Sequence, residues 1–184
     1  MREGLVLREL EKGDLQSDLL EHFIRFQEVK NVLRRNENGE WAVVALHERA
    51  FTEYWDDEDK REYVEEVLAE CFNCGGFAWG VFDDERLIGF ACLLSELFGS
   101  EKQYLQLSQL HVSADYRSMG AGKELLLAAT KKAKELGAKK VYISAHSAVE
   151  SQRFYERLGC VDAAEVCERL VALEPYDRQM ELLA

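Results

Sequence analysis

Two glycines near the middle of the chain separate a strand-like run from a helix-like run. The apolar pattern of residues 104–112 predicts a β-strand, and residues 124–136 carry apolar side chains at helical spacing. The segment between them, Arg117–Lys123, contains Gly120 and Gly122 and has a cationic side chain at each end. A turn of this kind leaves the first backbone N–H groups of the helix free at the positive end of its dipole. It therefore predicts a site for a phosphorylated ligand such as a pyrophosphate.

Two common phosphate-binding loops do not fit this turn. A Walker loop needs an earlier glycine and a Ser or Thr after the lysine, where the chain has Arg117 and Glu124. A dinucleotide-binding fingerprint needs a third glycine where Leu125 stands, and it belongs in the first strand–helix unit of its domain. The remaining pattern is Arg-x-x-Gly-x-Gly, entered from a strand that ends Leu110-His111-Val112.

That pattern resembles the signature of the GCN5-related N-acetyltransferases (GNAT family). A second segment, Ser151–Cys160, resembles the family's Phe-Tyr-Glu-Lys-Leu-Gly-Phe motif, with Cys160 in place of the usual aromatic residue. The two motifs occur in the family's order, and the resemblance extends from about Phe77 to Cys160.

The resemblance implies a fold and a division of the chain. The fold would be of the α/β class (α+β type), with a mixed, mostly antiparallel central sheet, a splayed parallel strand pair and flanking helices. The 184 residues would form one domain. In it, residues 1–76 supply an N-terminal strand and helices on the acceptor side, residues 77–160 the core with the coenzyme motifs, and residues 161–184 the closing strands.

The resemblance also implies an activity. The protein would be an N-acetyltransferase, an acyltransferase that moves an acetyl group from acetyl-CoA to a primary amine by direct attack in a ternary complex. The acceptor would be a small molecule or a peptide, no metal would take part, and dimers are common in the family. The residues implied to bind coenzyme A are Leu110, His111, Val112, Arg117, Ser118, Met119, Gly120, Ala121, Gly122, Lys123, Ser151 and Tyr155.

The catalytic groups are less completely specified. Tyr155 matches the family's tyrosine near the coenzyme sulfur, and a phenol can protonate a departing thiolate. His111 is the tentative base, because its unperturbed pKa is about 6.5. Gln109, Glu96 or a water chain would serve equally well, and His146 ranks lower. Because the base is uncertain, a non-catalytic acyl-CoA-binding or sensor module on the same fold is the alternative function.

Composition limits the partners. A formal net charge of −12 argues against nucleic acid as a partner. The acidic surplus in the N-terminal half mildly favours an amine-bearing acceptor. Residues 117–140 nevertheless hold seven basic and two acidic residues, a local field suited to a phosphorylated ligand. No apolar run is long enough to span a membrane, and no signal peptide is evident. An odd count of five cysteines then indicates reduced thiols and a cytoplasmic protein, with Cys71 and Cys74 as structural thiols.

Several element predictions outside the motifs can be compared with the structure. Helical spacing predicts a helix over about 17–33, and residues 41–51 are ambiguous between helix and loop. A helix is also predicted within 53–70, and residues 161–173 are expected to pair with 179–183. Aromatic candidates for the acceptor pocket are Phe23, Phe26, Trp41, Trp55 and Trp79.

Overall fold

The computed structural model describes all 184 residues and contains eleven strands and five short or medium α-helices. The strands are β1 Leu5–Glu9, β2 Phe26–Val29, β3 Asn31–Arg35, β4 Trp41–Ala45, β5 Phe51–Tyr54, β6 Phe77–Asp83, β7 Arg86–Leu93, β8 Tyr104–Val112, β9 Lys140–Ala145, β10 Val161–Asp162 and β11 Arg178–Leu183. The helices are α1 Asp57–Glu62, α2 Ala69–Asn73, α3 Ala121–Glu135, α4 Val149–Arg157 and α5 Glu168–Leu173.

Seven strands form the central sheet, in the order β1-β6-β7-β8-β9-β11-β10. Every neighbouring pair is antiparallel except β8 and β9, which are parallel. The remaining strands form two separate hairpin-like sheets, β2-β5 and β3-β4. The mixed, mostly antiparallel sheet with one parallel pair and flanking helices is therefore confirmed.

Two apolar cores hold helices against the sheet. On one face, Leu125, Leu126 and Ala129 of α3 are fully buried against the sheet strands. On the other face, Val64 and Leu68 pack against a second buried cluster. Burying one such leucine contributes about 1.5–3 kcal/mol, so both layers stabilise the sheet on which the site lies. No helix of the chain is both long and apolar enough to cross a membrane.

The helix predicted over 17–33 is wrong. Residues 17–22 form turns, and β2 and β3 occupy the second half of the segment. Leu20 and Phe23, whose spacing suggested a helix, are instead buried from within a compact turn. Val29 in β2 and Val32 in β3 are also buried, and β-branched side chains favour strands. Residues 1–76 are thus built from hairpins as well as helices.

The ambiguous segment 41–51 is also extended. Trp41–Ala45 forms β4, which pairs with β3 across the turn of residues 36–40. Gly39 adopts a φ of +79° in that turn, a conformation that glycine takes without strain. Phe51–Tyr54 then returns as β5 beside β2.

The helix predicted within 53–70 begins later, after β5. Asp56 caps α1 by accepting hydrogen bonds from two backbone N–H groups, at Glu58 and Asp59. Tyr63–Leu68 continues as a π-helical turn before α2. A π-helical turn changes the direction in which its side chains leave the helix, and Tyr63 is one of the side chains affected.

The closing segment is partly as predicted. β10 pairs with β11 antiparallel, but residues 168–173 form α5 instead of a strand. Leu170 of α5 is buried against Tyr104 and Tyr142. Covering these aromatic rings gives the segment more apolar contact as a helix than a second sheet-edge strand would have.

Candidate active site

The turn between β8 and α3 presents free backbone N–H groups. No N–H from Arg117 to Lys123 donates a hydrogen bond within the chain. Ser118 and Gly120 have φ angles of +66° and +90°, and Gly120 is the N-cap of α3. Left-handed residues within a turn point successive N–H groups toward one side, which makes an anion-binding concavity. The geometry agrees with the phosphate site expected from the sequence.

Gly122 is packed too closely for a side chain. A Cβ added there would lie 3.0 Å from Phe154 Cζ and 3.6 Å from Val112 Cγ2. The ring of Phe154, on α4, thus closes the start of α3 from the side. The start of α3 can pack this closely on Phe154 and Val112 because position 122 has no Cβ.

The parallel strands separate directly beside the turn. Pairing of β8 with β9 ends at Leu107 and Ile143, although β8 continues to Val112. On its other side, β8 has a bulge at Ser108, because Cys92 pairs with Gln109 and Leu93 pairs with Leu107. The extra residue bends the strand away from β9. The splayed pair is therefore present, and its opening leads toward the turn.

Tyr155 lies on α4, next in sequence to Phe154, and is buried. Burial raises the pKa of its phenol above the ordinary value, and the charges of Cys160 and Asp177 add to the rise. Its hydroxyl makes no hydrogen bond within the chain. The phenol therefore keeps its proton and has no internal acceptor for it.

The sequence analysis missed Gln152, one turn before Tyr155. Gln152 is fully buried, and neither its Oε1 nor its Nε2 has a hydrogen-bond partner. An unpaired buried amide costs about 1–3 kcal/mol, which a ligand with amide groups can recover. Ser151 beside it is half-buried. The missing signal was burial, since a glutamine on a short helix looks like a surface residue.

His111 belongs to a hydrogen-bonded group on the face of the sheet opposite α3. Tyr63 donates to Gln109 Oε1, and His111 Nε2 lies 3.1 Å from Tyr63 Oη and 3.2 Å from Gln109 Oε1. Because both of these oxygens can accept a hydrogen bond, we assign the ring proton of His111 to Nε2, which leaves Nδ1 as a free acceptor. Gln109 and His111 are two residues apart in β8 and so share a face, and the Ser108 bulge places them on the face opposite Leu107. Burial, with the nearby Arg25, lowers the pKa of His111 to about 3, so the ring is neutral.

A charged group from the N-terminal hairpins covers this face. The carboxylate of Glu53 on β5 accepts from the Arg25 guanidinium with one oxygen, and its other oxygen lies 3.3 Å from His146 Nε2. The hydrogen bond from His146, helped by the charge of Arg25, lowers the pKa of Glu53 to about 2. Burial alone would lower the pKa of His146, but Glu53 more than offsets it and raises that pKa. Neither Arg25 nor Glu53 was a sequence candidate, because hairpin pairing brings them there.

The remaining candidates for coenzyme binding differ in how far they are exposed. Arg117, Ser118 and Lys123 are exposed, while Leu110, Val112 and Met119 pack partly against the main core. The carbonyl of Met119 accepts a hydrogen bond from the N–H of Arg2. Ala121 and Gly122 are buried at the start of α3.

The aromatic candidates are spread over several places. Trp55 packs on Tyr63 and His111, with ring centroids 4.2 Å and 5.2 Å away, so it lies at the site. Phe23 and Trp79 belong to the two cores, and Phe26 is exposed. Trp41 donates to Asp162 near the C-terminal strands. All five cysteines are unpaired.

Comparisons with known proteins agree with this geometry. The model of the acetyltransferase (GNAT) family matches residues 41–160, well over half of the chain. A search of curated protein sequences finds no match.

Solved structures resemble the whole chain. A putative streptothricin acetyltransferase from Bacillus anthracis in complex with acetyl coenzyme A has a TM-score of 0.70 at 21% identity, with 98% of each chain covered. Nourseothricin acetyltransferase gives 0.69 at 16% identity, with 98% of each chain covered. PaiA N-acetyltransferase from Thermoplasma acidophilum, in complex with coenzyme A, gives 0.59 at 19% identity and covers 98% of this chain and 99% of its own. Identities this low show the fold, whereas the family match shows the family. The chain belongs to the GNAT acetyltransferase family.

Proposed function

We propose that the protein is an acetyl-CoA-dependent N-acetyltransferase that transfers an acetyl group to a primary amine by direct attack in a ternary complex. One observation carries the proposal: the free N–H groups of residues 117–123 lie at the mouth of the splay between β8 and β9. This arrangement offers an anion site for a pyrophosphate and a slot for an extended arm in one continuous surface.

The residues present fit coenzyme A. The backbone from Arg117 to Lys123 would hold the pyrophosphate, and the Arg117 and Lys123 side chains would add positive charge. Leu110, His111 and Val112, on the part of β8 that has left β9, would pair with the pantetheine arm. Ser151 and the unpartnered amide of Gln152 would complete its hydrogen bonds. The bound thioester supplies the acetyl group.

Tyr155 has the properties of a proton donor to the leaving thiolate. Its raised pKa keeps the phenol protonated at neutral pH, and its hydroxyl is not engaged elsewhere. A positioned acid of this kind contributes about 10²–10⁴-fold to rate. His111, the base suggested by the sequence, would accept a hydrogen bond from the acceptor amine at its free Nδ1.

The acceptor would lie on the face lined by His111, Trp55 and Glu53, which residues 1–76 help to build. The ionised Glu53 favours a cationic, amine-bearing molecule there. One of the similar structures is named nourseothricin acetyltransferase and another putative streptothricin acetyltransferase, so both compounds belong among the acceptors tested.

Two measurements test the proposal. Isothermal titration with coenzyme A should show binding, and a thiol-release assay with acetyl-CoA should show turnover with at least one amine among amino acids, polyamines, aminoglycosides, a streptothricin and peptides. Absence of coenzyme A binding would reject the proposal. Tight binding without turnover on any amine would instead favour a non-catalytic acyl-CoA-binding or sensor module.

A further inference from the structure

Ser144 is the first β9 residue beyond the end of the β8–β9 pairing. The last parallel pair is Leu107 with Ile143, so Ser144 borders the open splay on one side and pairs with Gln179 of β11 on the other. Its side chain is half-buried and lies on the same face as Tyr142, away from the α3 core. His111 and Gln109 line the opposite wall of the same opening.

The hydrogen bonds around Ser144 have one consistent direction. Tyr142 Oη donates to Gln179 Oε1 at 2.9 Å, and Gln179 Nε2 donates to Ser144 Oγ at 2.9 Å. The Ser144 hydroxyl then donates to Asp177 Oδ2 at 3.4 Å. Because the glutamine amide is fixed at both ends, the serine proton is directed at Asp177. The second lone pair of Ser144 Oγ remains free to accept another hydrogen bond.

We infer that Asp177, acting through Ser144, takes the proton that the acceptor amine loses during acetyl transfer. This inference rests on the proposed function. Asp177 is half-buried at the start of β11, and its neighbour Arg178 points away to Asp162 and Glu156. Neither residue was a sequence candidate for this role, since they are 33 positions apart and meet through strand pairing.

The amine reacts as its neutral free base, after its ammonium proton has passed to water. Its nitrogen bonds to the acetyl carbon as the carbon–sulfur bond breaks, and the thiolate takes the proton of Tyr155. The amine N–H proton passes to Ser144 Oγ while the Ser144 proton passes to Asp177 Oδ2. Afterwards water carries the Asp177 proton to the Tyr155 phenolate, which restores both groups.

The electrostatics suit a proton acceptor. Burial, together with the negative charges of Glu174 and Glu53, raises the pKa of Asp177 to about 6 against the opposing effects of His146 and Ser144. His111, with a pKa of about 3, is a much weaker final acceptor for a proton. Asp177 also raises the pKa of Tyr155, so the two groups sense each other's charge.

The test compares Asp177→Asn and Ser144→Ala with Glu168→Gln, an exposed carboxylate on α5. We expect kcat/KM for the amine to fall about 100-fold at pH 7 in Asp177→Asn and about 10-fold in Ser144→Ala. The wild-type decline in rate below about pH 6 should disappear in Asp177→Asn, while the Glu168→Gln profile stays unchanged. Titration with coenzyme A should give equal affinity in all variants, which also reports folding.

Wild-type rate and an unchanged acid limb in Asp177→Asn would overturn the inference. If Asp177→Asn does not fold, the Ser144→Ala pH profile and partial rescue by Asp177→Glu decide the question. A wild-type protein that binds coenzyme A but acetylates no amine would reject the proposed function itself, which is a different outcome.

Discussion

The two sides of the candidate site differ in the groups that they offer to a ligand, which are main-chain N–H groups on one side and side chains on the other. On the proposed coenzyme side, residues 117–123 offer main-chain N–H groups, and Gly122 matters because it has no side chain. On the proposed acceptor side, the titratable groups are side chains such as Glu53, His111 and Asp177, which come from separate parts of the chain. The backbone site depends on space and conformation, whereas the side-chain site depends on partners and charge.

This difference predicts how each side fails. A new Cβ or charge in the turn should abolish coenzyme binding without changing acceptor chemistry. Removing one side chain on the acceptor side should slow turnover or loosen the hairpins while the coenzyme still binds. Variants that separate binding from turnover therefore test the division directly.

The largest effect is expected for Gly122→Asp. Its Cβ would lie 3.0 Å from Phe154, so the ring or the turn would have to move, and the substitution would add a negative charge next to the proposed pyrophosphate site. Coenzyme A affinity measured by titration should fall at least about 100-fold, the equivalent of about 2.7 kcal/mol. Gly13→Ala is the matched control: like Gly122, Gly13 has no positive φ, but a Cβ there meets nothing within 4 Å. Unchanged affinity in Gly122→Asp would contradict the placement of the coenzyme.

Tyr155→Phe should separate turnover from binding. The hydroxyl has no partner in the chain, so its loss should cost little stability and leave coenzyme A affinity within about twofold. Turnover should fall about 100-fold because the thiolate loses its proton donor. Tyr176→Phe, an exposed tyrosine, is the control. Equal kcat in the wild type and Tyr155→Phe would remove the assigned role.

Glu53→Gln should weaken the link between the hairpins and the loop after β9. The low pKa of Glu53 means that its stabilising effect is present above the unfolded pKa of about 4.3 and is lost as the pH falls toward 2. We expect the variant to lose about 1–2 kcal/mol of unfolding free energy at pH 7 and to show a flatter acid limb. Urea unfolding between pH 2.5 and 7 measures both, with exposed Glu48→Gln as the control. If the free energy of unfolding has the same pH dependence in the wild type and in Glu53→Gln, the contacts of Glu53 with Arg25 and His146 do not stabilise the fold.

The smallest effect is expected for single basic side chains around the turn. Arg117→Gln should weaken coenzyme A binding about three- to tenfold and reduce its salt dependence, because only one of several positive contributions is removed. Lys131→Gln, exposed on α3 and farther along the helix, should change affinity by less than twofold. Titrations at low and high salt make the comparison. A larger loss for Lys131 than for Arg117 would contradict the assigned order.

The sequence could predict the coenzyme side well, because its signals are local. The strand, the glycine turn and helix α3 are contiguous segments whose spacing is visible in the chain, and the structure confirms these elements. The predicted roles of Tyr155 and His111 in catalysis stay predictions.

The acceptor side was less predictable for physical reasons. Residues 17–33 have apolar spacing that a helix would satisfy, but Val29 and Val32 are buried through pairing and packing with distant segments. The Arg25–Glu53–His146 contacts depend on which strands meet, as do those of Ser144 and Asp177. Long-range pairing of this kind leaves no periodic signal in a single sequence.

A crystal structure of the complex with coenzyme A tests the central claim most directly. The account predicts pyrophosphate oxygens about 2.7–3.2 Å from backbone nitrogens within residues 117–123, and the pantetheine arm between β8 and β9 beyond Leu107. Coenzyme A bound elsewhere, or those nitrogens paired within the protein in the complex, would contradict it.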